Sequence, residues 1–241
     1  MCYHLSCNRT QKELEKRFGA KFAKPNLFSP IYYANGFEAP KIPVITNDNP
    51  FEIQMLTWGL IPRWVKDEEK AKEIRFKTLN ARAESIFDKA SFRTPIKDNR
   101  CLILTDGFFD WREYKGKKYP YYVYLKSKEP FAFAGIWDKW LNPQTKQSIK
   151  TFSIITTVAN EFVAQIHNIK KRMPVILSKH EERVWLENID DQTIQSIMNP
   201  YEADKMEAHT ISKLITARGV ERNVPGLIEE FEYKELEEIS V

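Results

Sequence analysis

The chain has 241 residues, 42% hydrophobic and 13% aromatic, which suits a packed core and excludes a disordered segment. No run approaches the roughly 18 apolar residues of a membrane helix, and the first residues lack the basic and apolar regions of a signal peptide. The three cysteines, Cys2, Cys7 and Cys101, have no C-x-x-C spacing, and the four histidines are scattered, which argues against a disulfide framework, a metal site or a cofactor.

A cytoplasmic protein is therefore expected. The net charge of +4 conceals an asymmetry. Residues 228–241 hold six Glu and one Lys, a local charge of −5, so the body carries +9. A basic body fits a polyanionic partner, although many soluble domains carry such a surplus without one. The domain division expected from this is a body over 1–227 and an acidic tail over 228–241.

In chain order, Thr10 and Glu13 form a capping box and Gly19 supplies a stop, which predicts a short helix between them. Residues 51–61 read as a strand entering a loop at Pro62. The stripe Ala81, Ala83, Ile86, Phe87 and Ala90 predicts a helix over 80–92. Strands follow at 101–105, 108–111, 119–125, 131–136 and 151–157, with hairpin turns at 115–117 and 142–145. Residues 158–166 read as a helix and 175–177 as a short strand. Ser178 with Glu181 caps another helix through Leu186, and 191–198 is a further one. A last strand is expected at 209–214. Close-spaced strands with inserted helices predict an α+β single domain, with a curved, mainly antiparallel and barrel-like sheet.

Cys2 carries the first chemical suggestion. Removal of the initiator Met1 exposes an α-amine and a thiol on one residue, both partly nucleophilic near neutral pH. Such a 1,2-aminothiol condenses with an aldehyde through its nitrogen, and the sulfur then closes a five-membered thiazolidine by an intramolecular step. The residue alone leaves two alternatives open. One is an ordinary buried cysteine, and the other is a thiol hydrolase whose amine is the base.

Five blocks narrow the choice. They are Met1-Cys2, Trp58-Gly-Leu-Ile-Pro-Arg-Trp64, Asn80-Ala-Arg-Ala-Glu84, Arg100-Cys-Leu through Asp106-Gly-Phe-Phe-Asp-Trp111, and the segment from His167 to Arg172-Met-Pro-Val-Ile-Leu177. In this order they resemble the SOS-response-associated peptidase family, over most of the chain. The resemblance implies a sensor of abasic sites in single-stranded DNA. It implies a covalent DNA–protein crosslink through Cys2 that shields the lesion, with lyase and thiol autopeptidase activities as further family chemistry. A non-covalent single-strand binding module is the remaining alternative. The partner implied is abasic single-stranded DNA, bound by a monomer that is nucleoid-associated when engaged, with no membrane and no metal.

By the same resemblance Asn80 orients the adduct, Asp110 shuttles a proton and His167 serves as acid or base. Arg82, Arg172 and His4 meet phosphate, and Trp58 and Trp64 stack on bases, one packing in the core and the other partly exposed. Each has an ordinary alternative: a helix N-cap for Asn80, an ion pair with Glu84 or Asp88 for Arg82, a strand-edge carboxylate for Asp110, a helix-end cap for His167 and core packing for the tryptophans. Three departures from the family pattern stand out. Asp110 replaces a glutamate, Tyr3-His4 replaces Gly-Arg, and three additional residues separate His167 from Arg172, among them Lys170 and Lys171 as alternative phosphate contacts.

Overall fold

The computed structural model describes residues 1–236. In chain order its elements are β1 (His4–Cys7), α1 (Gln11–Phe18), β2 (Lys21–Phe22), β3 (Ile31–Asn35), β4 (Lys41–Thr46), β5 (Asn49–Trp58), α2 (Glu68–Lys77), β6 (Asn80–Arg82), α3 (Pro95–Asp98) and β7 (Arg100–Thr105). There follow β8 (Gly107–Tyr114), β9 (Lys117–Leu125), β10 (Phe131–Leu141), β11 (Ser148–Val158), α4 (Glu161–Ile166), β12 (Arg172–Pro174), β13 (Ile176–Leu177), α5 (Lys179–Leu186), α6 (Asp191–Ile197) and β14 (Met206–Thr210).

One sheet runs β14-β9-β8-β1-β3, and the other runs β12-β11-β10-β7-β4-β5-β2. In the second, β5 also pairs in parallel with β11, Thr57 opposite Thr151 and Trp58 opposite Phe152. That extra pairing closes β4, β5, β11, β10 and β7 into a ring, so the mixed α+β, barrel-like architecture expected from the sequence is the one observed.

Strand β7 shows why the runs are apolar throughout. Cys101 and Ile103 point into one buried cluster, shared with Leu5, Phe108 and Val123 of the other sheet. Leu102 and Leu104 point into a second cluster, under Leu14 of α1 and Trp185 of α5. A strand covered on both faces has no polar alternation to keep. Local signals also hold. Thr10 and Ser178 both make their capping boxes, and Gly19 ends α1 in the left-handed conformation at φ 63°.

Two expectations are corrected, and one element was not anticipated. Residues 80–92 do not form a helix. Asn80–Arg82 is strand β6, paired in parallel with Ile154, Ile155 and Thr156, and a single 3-10 turn at Ala83–Ser85 follows. The small apolar residues that mimic a helical stripe are there to bury Ala81 and Ile86 beneath the ring. The strand expected at 209–214 instead spans Met206–Thr210 against β9, and Lys213–Thr216 is a 3-10 turn. Helix α2 had no sequence signal, because only Ala71 is buried and its other positions are largely charged.

The boundary expected at residue 227 falls within the 3-10 turn Pro225–Ile228. In the segment beyond it, Phe231 N donates to Thr210 O at 2.8 Å and Tyr233 Oη to Ile211 O at 2.9 Å. The expected acidic tail also includes 237–241, which lie outside the described residues.

Candidate functional site

Strand β1 lies between β3 and β8, and this brings the N-terminus to the edge of the protein core. Cys2 is 1% exposed, and its thiol points back to the His4 carbonyl oxygen at 3.6 Å. Burial, reinforced by the charge of Asp110, pushes that thiol up to about 12. The α-amine of Met1 sits 3.3 Å from His167 Nε2 and 3.4 Å from Nδ1. Burial lowers its pKa, and the Asp110 carboxylate works in the opposite direction. A cavity of about 410 Å³ opens here, lined by Met1, Tyr3, His4, Asp110, Trp111 and His167 among others.

Asp110 is supplied by β8, which faces it inward, 6% exposed. Burial raises its pKa, while His167 and the N-terminal amine pull it down. His167 is the residue that ends α4. Its Nδ1 lies 2.7 Å from the Arg172 carbonyl oxygen and 3.4 Å from Asp110 Oδ2. The shorter contact joins a ring nitrogen to an oxygen that can only accept, so Nδ1 carries the proton. Nε2 is then the ring nitrogen with a free lone pair, and the Met1 amine lies at nearly equal distance from both nitrogens. A base oriented by a second group beside the chain terminus is the kind of arrangement that nucleophilic catalysis uses. His167 also caps α4, but that alternative does not exhaust its contacts.

Asn80 enters from β6. Both polar atoms of its side-chain amide are buried and have no hydrogen-bond partner. The helix N-cap alternative disappears with the helix. Its neighbour Leu79 shares an apolar cluster with Cys2. Arg82 is exposed and makes no ion pair among the described residues. The partner of Glu84 is Arg172 instead, through both guanidinium nitrogens, with Nη2 also donating to Thr156 O at 2.7 Å. Arg172 is thus anchored at its own backbone by His167 and at its side chain by Glu84, and the additional residues do not separate it from His167.

His4 is packed between Tyr33, at 5.5 Å between ring centroids, and the edge-on ring of Trp111. Burial, with Arg222 nearby, lowers it to about 4, so it is neutral at pH 7. Tyr33 Oη lies 2.9 Å from His4 Nδ1 and also accepts from Arg222 at 3.5 Å. A neutral His4 can meet phosphate only through a ring N–H.

The two tryptophans divide. Trp58 is 0% exposed, donates through Nε1 to Leu79 O at 2.9 Å and lies parallel to Phe152, so its faces are closed to a base. Its expected stacking role is corrected to core packing. Trp64 is 47% exposed. Arg63, beside it, is tied to Asp138 at 2.9 Å. Sequence reasoning missed Trp111, which lines the cavity, and a row of rings beginning at Tyr3. Tyr3 and Phe37 are 5.0 Å apart, Phe37 and Phe76 6.5 Å, with the Arg75 guanidinium 5.0 Å from the Phe76 ring. Phe37 and Phe76 are 47% and 45% exposed. Exposed phenylalanines close to a cationic stretch were the available signal.

The family model described as SOS response associated peptidase (SRAP) matches residues 1–218. The chain belongs to the SOS response associated peptidase family. One SRAP relative, the abasic site processing protein YoqW of Bacillus subtilis (strain 168), is 42% identical over 189 residues, 77% of this chain and 80% of that protein. The abasic site processing protein HMCES of Gallus gallus is 31% identical over 182 residues, 67% of this chain and 53% of that protein. A crystal structure of a Bacteroides thetaiotaomicron protein superposes on this SRAP chain with a TM-score of 0.90 at 38% identity, covering 96% of this chain and all of that one. A Bordetella bronchiseptica protein does so with a TM-score of 0.76 at 25% identity, covering 88% and 100%. No described helix of the SRAP chain is long and apolar enough to cross a membrane.

Proposed function

We propose that this protein processes abasic sites in single-stranded DNA by forming a covalent thiazolidine crosslink through Cys2. The observation that carries the reading is that the chain terminus lies in the cavity, with the Met1 amine 3.3 Å from His167 Nε2 and the Cys2 thiol and buried Asp110 beside it, so that loss of Met1 leaves the Cys2 amine one residue from this pair. Relatives that bear the name abasic site processing protein support the substrate class.

Removal of Met1 gives Cys2 a free amine. That amine attacks C1′ of the open sugar, and His167 Nε2 takes the proton it sheds. Asp110 stabilises the imidazolium through Nδ1. Loss of the hydroxyl as water leaves a Schiff base, with the proton returned from His167. Cys2 Sγ then adds to the same carbon and its proton passes to the imine nitrogen. One water is lost overall. The amine acts first because sulfur addition becomes an intramolecular ring closure only once the Schiff base has formed. The high pKa of the thiol in the Met1-bearing chain gives little support to thiol attack on the Met1–Cys2 amide. The Schiff base is also what a lyase needs to expel the 3′ phosphate, and sulfur addition removes it, so crosslinking shields the strand.

The row of Tyr3, Phe37 and Phe76, with exposed Trp64 and the cations Arg75 and Arg82, suits unpaired bases and their backbone. The reading has the protein acting as a monomer, in the cytoplasm and on the nucleoid when bound.

The test is incubation of Met1-processed protein with an end-labelled single strand carrying one abasic site. A denaturing gel should show a crosslinked band, and intact mass should equal protein plus DNA less one water. Cys2→Ser should give no stable band. Absence of an adduct from the processed wild type ends the proposal.

A further inference from the structure

Between α4 and β12 the residues 168–171 form a turn at the mouth of the cavity, carrying two adjacent lysines. Lys171 N donates to His167 O at 2.8 Å, and Ala159 N donates to Lys171 O at 2.9 Å. The Lys171 backbone is therefore committed on both sides, with φ at 47°. The turn is also fastened to β8. Asn168 Oδ1 accepts from Glu113 N at 3.1 Å, and its Nδ2 donates to Glu113 O at 2.7 Å. These two bonds imitate a strand pairing and tie the turn to the strand that presents Asp110.

What remains at the tip is Ile169 and Lys170. Both line the cavity, whereas Lys171 does not. Ile169 is 61% exposed. Lys170 makes no ion pair among the described residues. Lys118, opposite Glu113 in the β8–β9 register, lines the same wall. An unpaired ammonium on a fastened turn, at the entrance to a cavity lined by the chain terminus, Asp110 and His167, is placed to meet an anion carried by whatever enters.

We propose that Lys170 binds a backbone phosphate beside the lesion, and that Asn168 is the positioning residue that holds its turn against β8. The proposal rests on the abasic-DNA reading for the identity of the anion. Of the two neighbouring lysines it selects one. Lys171 spends its backbone on the fold and its side chain lies outside the cavity.

The test uses Met1-processed protein and a labelled single strand with tetrahydrofuran at the abasic position, which has no aldehyde. Anisotropy is followed between 50 and 200 mM salt. Lys170→Ala should weaken binding about threefold to fivefold and lower the slope of log affinity against log salt by about 0.7, the loss of one phosphate contact on a single strand. Lys170→Arg should keep the slope, and Lys171→Ala should match wild type. Asn168→Ala should reproduce the Lys170→Ala slope, and the double variant should be no weaker than Lys170→Ala, as for residues acting through one contact. An unchanged slope in Lys170→Ala, an equal loss in Lys171→Ala, or additive losses in the double variant overturns the proposal. A parallel crosslinking assay on a true abasic site keeps the two readings apart. Lys170-dependent binding without an adduct removes the covalent reading alone, and an adduct without Lys170-dependent binding removes the phosphate site alone.

Discussion

His167 Nδ1 is shared between the Arg172 carbonyl oxygen at 2.7 Å and the Asp110 carboxylate at 3.4 Å. The carbonyl fixes which nitrogen is protonated, and the carboxylate supplies the charge that favours an imidazolium. His167→Ala should therefore slow crosslinking about 100-fold, the low end for a general acid–base group, and Asp110→Asn about tenfold or more. Neither should alter binding of the tetrahydrofuran strand much. Single-turnover gel kinetics measure this, and rates within twofold of wild type for both variants would remove the pair from the mechanism.

Asn80 presents the opposite balance between stability and function. Its amide oxygen and nitrogen are buried without partners, a condition that costs about 1–3 kcal/mol for a group left unsatisfied. Asn80→Ala removes that cost along with some packing, so urea unfolding should show a change near zero or a gain of about 1 kcal/mol. Crosslinking should fall about tenfold to 100-fold, because the sugar oxygens lose the group that orients them. A variant that is less stable and equally active would make Asn80 a structural residue.

Much of the ring was legible in the sequence because β7 and β10 are apolar on both faces, and the helix starts at Thr10 and Ser178 because capping is local. What was not legible is what depends on distant pairing. The stretch after Leu79 has helical composition, yet its hydrogen bonds go to β11, seventy-odd residues onward. Trp58 and Trp64 flank one turn and look alike in sequence. Burial separates them, because Trp58 ends β5 facing Phe152, and Gly59 at φ 106° turns the chain away. The spacing from His167 to Arg172 was a similar case. The turn at 168–171 bulges outward and returns Arg172 to the His167 ring, so a length change in sequence leaves the contact intact.

Burial first and Asp110 second control the sulfur, against the opposing pull of the Met1 amine. With Met1 in place, Cys2 is held at about 12, and Cys7 and Cys101 are raised well above the ordinary thiol value by burial. At pH 8 the thiolate fraction of Cys2 is then on the order of 1 in 10,000, against about a quarter for a free thiol of pKa 8.5. Folded protein that retains Met1 should show no fast-reacting thiol toward iodoacetamide, with alkylation of Cys2 slowed by roughly a thousandfold. Urea should release all three. Processed protein should alkylate once, at Cys2, because Cys2 becomes the terminal residue while Cys7 and Cys101 stay buried. Peptide mass mapping assigns the site, and rapid alkylation of Cys2 in the Met1-bearing form would contradict the burial argument.

His4 should leave a mark on stability against pH. Its folded value of about 4 lies below the roughly 6.5 of an unfolded histidine, because burial first and Arg222 second oppose the charged ring. Between these values the unfolded chain binds more protons than the folded one, so stability rises with pH across the window. The contribution is present above pH 6.5 and is lost as pH falls toward 4. From pH 7 to pH 5 it amounts to about 2 kcal/mol. His4→Phe keeps a ring against Tyr33 and Trp111 without a titrating nitrogen. It gives up the Tyr33 hydrogen bond, worth about 1 kcal/mol at pH 7. Urea unfolding should show wild type losing about 2 kcal/mol more than the variant between pH 7 and pH 5, so the two stabilities converge and cross. Parallel losses would mean that His4 titrates as it does in the unfolded chain, and a charged His4 would then be available to phosphate below neutrality.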